Sequence, residues 1–213
     1  RRLAPQQTCA ANTKLFQQGA PAREVYFINR GLVKLVRMED SGRELIMDLR
    51  SPNWLLGAAT VLVQKCHPMT AVTLSECDLH CIPVTVFNAL LKTNASFSLH
   101  LHRMHSNEIL AQIARMSQLS CRSAEERLEH LLWQLTSVFR LSESTEEAKV
   151  QLSLNYWEVA QLIAVTPEYL CRLLKKMREK GVIRQERGWI IVTDFRKLWH
   201  PTREDSASSL GRI

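Results

Sequence analysis

The chain has 213 residues, 46% hydrophobic and 23% charged, a balance that suits one or two soluble domains with real hydrophobic cores. No apolar run reaches the ~18 residues of a membrane span, and Arg1–Ala10 holds no apolar signal-like core, so no membrane partner and a cytoplasmic setting are expected. A formal net charge of +7 suits a polyanionic partner, because each phosphate neutralised releases counterions.

From about Thr13 to Val86 the sequence reads as β. Short alternating runs (Val25–Ile28, Val33–Val36, Leu45–Leu49) are separated by turn signals at Asn29-Arg-Gly31, Asp40-Ser-Gly42 and Ser51-Pro-Asn53. Strands at roughly ten-residue intervals with glycine turns predict a small β-sandwich or barrel.

From about Val84 to Leu141 the period becomes helical. Ile109, Ile113 and Met116 recur at i, i+4 and i+7 with Leu110 beside them, an apolar stripe on a long helix that predicts an isologous two-fold interface. Ser123-Ala-Glu-Glu126 is a capping box, so a new helix is expected there, running through Leu128, Leu131, Leu132 and Leu135. Ser142–Lys149 is polar and acidic and reads as a connection.

Asn155-Tyr-Trp-Glu158 starts another helix, with Asn155 as cap and Glu158 reciprocating. Val159, Leu162 and Ile163 form its expected buried face, and Ala160 and Ala164 are small enough for close helix approach. Thr166-Pro167-Glu168 starts a second helix only about three residues on: Thr caps, Pro tolerates N1, and Glu suits the positive end. Leu170, Leu173, Leu174 and Met177 give its inward face, and Gly181 its stop. Glu168, Cys171, Arg172, Lys175 and Glu179 occupy the other face. A helix so placed fits a major groove, where Arg pairs with guanine and Glu with cytosine. Lys176, Arg178 and Lys180 are expected at phosphates. Between Val150 and His200 nine Lys or Arg stand against five Asp or Glu, five of the nine within Thr166–Lys180. Val182-Ile183 and Trp189–Val192, around Glu186-Arg-Gly188, read as a hairpin wing. The residues after Pro201 are polar and expected to be mobile.

This C-terminal segment resembles the winged helix-turn-helix of the cyclic-AMP receptor protein and fumarate–nitrate regulator family, and Glu168 and Arg172 match the Glu and Arg, four residues apart, that read the operator there. The preceding segment is similar to the family's sensor domain at Leu15-Phe-Gln-Gln-Gly19, Val25–Gly31, Asp40-Ser-Gly-Arg-Glu44, Pro52 and Gly57. The resemblance implies an α+β chain: a β-roll sensor domain over 1–94, a dimerisation helix over 95–122, a winged helix-turn-helix over 123–201 and a tail over 202–213. It implies a homodimeric regulator of transcription rather than an enzyme, on a palindromic duplex operator and with RNA polymerase as protein partner. The expected DNA-binding residues are Thr166, Pro167, Glu168, Tyr169, Cys171, Arg172, Lys175 and Lys176, and the expected dimer residues Ile109, Leu110, Ile113 and Met116. The alternative is a small-molecule, haem or redox sensor of the same fold with DNA binding secondary or lost.

The chain departs from the family where its cyclic-nucleotide members carry a Gly-Glu pair for the ribose and an Arg for the cyclic phosphate. Gly57-Ala58-Ala59 and Pro68-Met69-Thr70-Ala71 stand there, and methionine offers an anion no donor, leaving Lys65 or Arg43 as substitute cations. The effector is therefore not expected to be a cyclic nucleotide. Of the six cysteines (Cys9, Cys66, Cys77, Cys81, Cys121, Cys171), expected as reduced thiols, only Cys9 lies where oxygen-sensing members gather cluster ligands, too few for an iron–sulfur site. In Cys77-Asp-Leu-His-Cys81, Leu79 and Cys81 are expected inward and Asp78 and His80 outward, so structural cysteines rather than a metal site. His100, His102 and His105, with Cys66-His67, are the candidates for a haem or metal, which is not the expectation. Cys171, beside Arg172, is the candidate redox-sensitive thiol, and no metal site is expected.

Overall fold

A computed structural model describes residues 4–139, 148–150, 154–186 and 189–193. The chain divides into two compact units that part between Gln112 and Ile113.

The first unit is built on two four-stranded antiparallel sheets. One holds β1 (Gln6–Cys9), β8 (Cys77–Pro83), β3 (Glu24–Arg30) and β6 (Leu55–Leu56), in that spatial order. The other holds β2 (Lys14–Phe16), β7 (Thr70–Thr73), β4 (Val33–Met38) and β5 (Glu44–Arg50). Alternation sends Ile28, Val33, Leu35, Cys77 and Leu79 into one buried core. Tyr26, Trp54 and Met69 pack against its edge. The Asn29–Gly31 turn needs its glycine: φ is +99°, and a Cβ would sit 2.4 Å from the Glu76 carbonyl and 2.5 Å from the Cys77 sulfur.

Two elements of this unit were not expected. Strands begin at Gln6, not near Thr13, because β1 pairs along β8 with Cys9 opposite Cys77. A five-residue helix, α1 (Ala58–Leu62), follows Gly57, and its Ala58 and Val61 pack with Val25 of β3 and Phe87 of α2 (Val84–Thr93). Cys77, Leu79 and Cys81 point inward and Asp78 and His80 outward, as alternation required.

The long helix α3 runs from Ala95 to Cys121. Near its start Leu101 is buried, with Phe97 and Met104 packed on the same cluster. Further on it is tied to β5 by Arg50, which is 8% exposed, bonds Asp48 at 2.9 Å and Glu108, and stacks 4.2 Å from the Trp54 ring. The Gln112 amide donates to the same Asp48 at 2.9 Å. So satisfied, a buried guanidinium is tolerated.

The second unit holds α4 (Ala124–Phe139), α5 (Tyr156–Leu162), α6 (Pro167–Glu179) and a three-stranded antiparallel sheet. That sheet orders β10 (Ile183–Glu186), β11 (Trp189–Val192) and β9 (Ala148–Val150). The expected connection over Ser142–Lys149 is thus shorter at its end, since β9 begins at Ala148 and pairs with β11. The rest of that connection (142–147), Arg187-Gly188 of the wing turn and the tail over 202–213 lie outside the described residues. Leu128, Leu132, Val159, Ile163, Leu170, Met177 and Ile191 form the unit's buried face. Among the described residues no helix is long and apolar enough to cross a membrane.

Candidate nucleic-acid interface

The pair α5 and α6 is placed by local capping. Asn155 accepts from the Glu158 N–H at 2.9 Å, and the Glu158 carboxylate accepts from the Asn155 N–H at 2.8 Å. At α4 the Ser123 N–H donates to Glu126 at 2.7 Å in the same reciprocal way. Thr166 caps α6, its hydroxyl accepting from the Tyr169 N–H at 3.3 Å, with Pro167 in the first turn. Four residues, 163–166, join the helices.

That turn corrects the expected role of Ala164. It is exposed, and with φ of +53° it is the left-handed residue that lets Ala164 N–H bond Gln161 and Val165 N–H bond Ala160. It does not line a helix–helix contact. Ala160 does so instead, at 1% exposure. Leu162 is half-buried rather than buried. The Ile163 carbonyl, left over by the turn, accepts from Arg127 Nε at 2.8 Å, so α4 holds the corner in place. At the far end of α6, Gly181 at φ +66° closes the same kind of terminus, as its sequence position required.

The buried side of α6 is Leu170, Leu173, Leu174 and Met177, and the opposite side is exposed at Glu168, Cys171, Arg172 and Lys175. Tyr169 is 40% exposed, and the Arg172 guanidinium lies 5.1 Å from the centre of its ring. The Glu168 carboxyl is held below its usual range by its own backbone N–H, then by the Thr166 hydroxyl and the Arg172 charge. An ionised Glu at a helix start and a cation one turn on leave acceptor and donor side by side on one exposed face.

Glu125 of α4 contacts the basic end of α6, which sequence spacing missed. Its carboxylate accepts from Lys176 Nζ at 2.5 Å and from Lys180 Nζ at 2.6 Å. These bonds hold its carboxyl below the usual range, Lys176 first and Lys180 next. Two of the three cations expected at phosphates are therefore paired within the unit, while Arg178 is exposed. The wing also touches the pair of helices, Gln185 donating to the Tyr156 hydroxyl at 3.0 Å.

On α3 the stripe is exposed: Ile109 61%, Ile113 58%, Met116 70%, with Leu110 and Leu119 beside them. In the β-roll, Met69 packs on the core, Ala58 is fully buried, Ala59 and Lys65 are exposed, and Arg43 pairs with Glu39 at 3.6 Å. His67 is buried, stacks on Phe16 at 3.9 Å, and its Nδ1 has no hydrogen-bond partner among the described residues. Burial lowers its pKa. His100 and His102 are exposed on α3. Among the described residues no group of three or more His, Cys, Asp or Glu could hold a metal ion.

Two family models match the chain: a cyclic nucleotide-binding domain over residues 6–94 and a Crp-like helix-turn-helix domain over residues 126–200. The Global nitrogen regulator of Nostoc is 28% identical over 179 residues, 83% of this chain and 80% of that protein. The Anaerobic regulatory protein of Pasteurella multocida is 24% identical over 181 residues, and the chain spans 66% of its length. Among solved structures, FixK2 of Bradyrhizobium japonicum superposes with a TM-score of 0.75 at 17% identity, over 92% of this chain and 95% of that one.

Proposed function

Because this chain belongs to the cyclic-AMP receptor protein and fumarate–nitrate regulator family of bacterial transcription regulators, we propose that it acts as a homodimer on a palindromic duplex operator. Each protomer lays α6 in the major groove, and pairing through α3 sets the two recognition helices one DNA turn apart. The observation that carries this reading is the exposed Glu168/Arg172 face on a helix that Thr166 caps and whose preceding turn Arg127 of α4 holds. An intact face of this kind supports DNA binding over a sensor module that has lost it, and regulation rather than catalysis is its output, with RNA polymerase as the protein partner.

Thr166 and Pro167 bring the helix start to the backbone of the DNA, Glu168 and Arg172 read bases, and Lys175 and Arg178 hold phosphates. Cys171, exposed between Leu170 and Arg172, is the thiol through which oxidation would add negative charge to this face. The effector of the β-roll is not a cyclic nucleotide. The position expected to neutralise the cyclic phosphate is Met69, packed on the core, and Ala58 and Ala59 offer the ribose no acceptor side chain.

A gel-shift titration of Arg172→Ala tests the reading. The loss should be roughly 1–3 kcal/mol on the operator, with preference relaxed at one base pair per half-site, whereas Lys175→Ala should weaken all sequences alike. Unchanged affinity and preference for Arg172→Ala would overturn the assignment of α6.

A further inference from the structure

We propose that Tyr169 is a specificity-determining positioning residue, whose ring carries the Arg172 guanidinium on its face and presents it, already oriented, to a guanine edge. This rests on α6 being the helix that reads the major groove.

The geometry is local and complete. Tyr169 sits one turn before Arg172 on the exposed side of α6, and its backbone N–H is fixed by the Thr166 cap at 3.3 Å. The guanidinium carbon lies 5.1 Å from the ring centre, within the ~6 Å over which a cation is attracted to an aromatic face. A guanidinium held face-on to a ring spends only its face. Its N–H donors lie in the plane and stay free for the two acceptors, O6 and N7, that guanine shows in the major groove.

Two further features support the role. The Tyr169 ring is 40% exposed in the first turn of its helix, open to solvent on the face that carries Arg172, and aromatic residues are only middling helix formers. Helix propensity therefore does not account for it. The competing partner for Arg172 is Glu168, four residues back. That carboxylate is engaged first by its own backbone N–H and by the Thr166 hydroxyl. The ring thus takes up a long side chain whose rotamer freedom would otherwise be lost on binding.

The test uses the full-length protein and a pool of 30-base-pair duplexes with randomised centres, selected by the unaltered protein and sequenced. The selected duplex and its single-base variants are then titrated against Arg172→Ala, Tyr169→Phe, Tyr169→Leu and the double variant Tyr169→Leu, Arg172→Ala. Tyr169→Phe should keep the base preference. Tyr169→Leu should lose between about 2-fold and 30-fold of it, the range of a cation–π contact from exposed to desolvated, at the base pair that Arg172→Ala affects. The double variant should be no worse than Arg172→Ala alone. In the free protein, the Arg172 Nε–H proton resonance, assigned by its loss in Arg172→Lys, should be shifted upfield by the ring in the unaltered and Phe proteins and not in the Leu protein.

Retention of full preference by Tyr169→Leu, alongside its loss in Arg172→Ala, would overturn the proposal while leaving the reading of α6 standing. So would a loss in Tyr169→Phe as large as in Tyr169→Leu, which would assign the hydroxyl rather than the ring. If Arg172→Ala itself changed no preference, the reading of α6 would fail and this proposal with it.

Discussion

Replacing Glu125 by Gln should make DNA binding more salt-dependent, and the size of the effect follows from the two lysines its carboxylate holds. The Glu125 carboxylate holds Lys176 at 2.5 Å and Lys180 at 2.6 Å, and both lysine side chains are about half exposed, 53% and 52%. Half-exposed lysines gain little stability from such pairs, so the fold should tolerate the change. The two ammonium groups would, however, be released toward the surface that carries Arg172. Each new phosphate contact steepens the slope of log K against log salt by about 0.9, so two add about 1.8 per protomer. Between 50 and 200 mM salt this amounts to roughly tenfold in affinity per protomer, with the variant binding more tightly at the low-salt end. The assay is fluorescence anisotropy of a random-sequence duplex at several salt concentrations. Glu179→Gln, which removes the same charge from α6 without freeing either lysine, is the control and should change the slope less. Coincident slopes for Glu125→Gln and the unaltered protein would refute the reasoning, because the lysines would then reach phosphates without leaving Glu125 or never face DNA.

Ile113→Glu should give monomers by sedimentation at micromolar concentration and weaken binding to palindromic duplexes, since two-fold pairing would bury two unpaired charges; a stable monomer of the unaltered protein would sink the dimer. The buried His67 has a folded pKa below its ordinary 6.5, so its neutral form stabilises the β-roll fully above that value and the contribution fades as pH falls through the folded pKa. Denaturant midpoints between pH 7.5 and 5 should accordingly fall less for His67→Phe than for the unaltered protein. Calorimetry with cyclic AMP and cyclic GMP should show no saturable binding tighter than about 100 μM, or ~−5.5 kcal/mol, and no gain in operator affinity.

What was legible in the sequence was what local chemistry fixes. The starts at Ser123, Asn155 and Thr166 and the stop at Gly181 each rest on hydrogen bonds within a few residues, and all four stand where their spacing put them. The strand β1 was not legible because only Cys9 of its four residues is buried, so the stretch shows no alternation, and its pairing with β8 is seventy residues away. The helix α1 is five residues long, too short to show a period, and is held by packing on Val25 and Phe87. Ala164 misled because smallness serves two ends: close helix contact and a left-handed turn. Spacing cannot tell them apart. The candidate site divides in the same way. Glu168, Tyr169 and Arg172 share one helix and could be placed from their intervals. Glu125 is 51 residues from Lys176, and a carboxylate supplied by another helix leaves no periodic trace.

The stripe on α3 shows how the two kinds of information combine. Its period of four and three was visible in Ile109, Ile113 and Met116, but a period says only that one face is apolar, not what covers it. The same helix buries Leu101 at 3% exposure against the β-roll, whereas from Ile109 to Met116 the stripe residues stand between 56% and 70% exposed. Four large apolar side chains in one contiguous row, each more than half open, are unlike the singly scattered apolar residues of an ordinary surface. Arg50, Asp48, Glu108 and Gln112 hold the flanking turns of α3 to β5, so the helix is not free to roll its apolar face inward within one chain. A second copy of α3, presenting the same row about a two-fold axis, would cover these residues. That is the physical ground on which the dimer is proposed, and the Ile113→Glu sedimentation experiment addresses it directly.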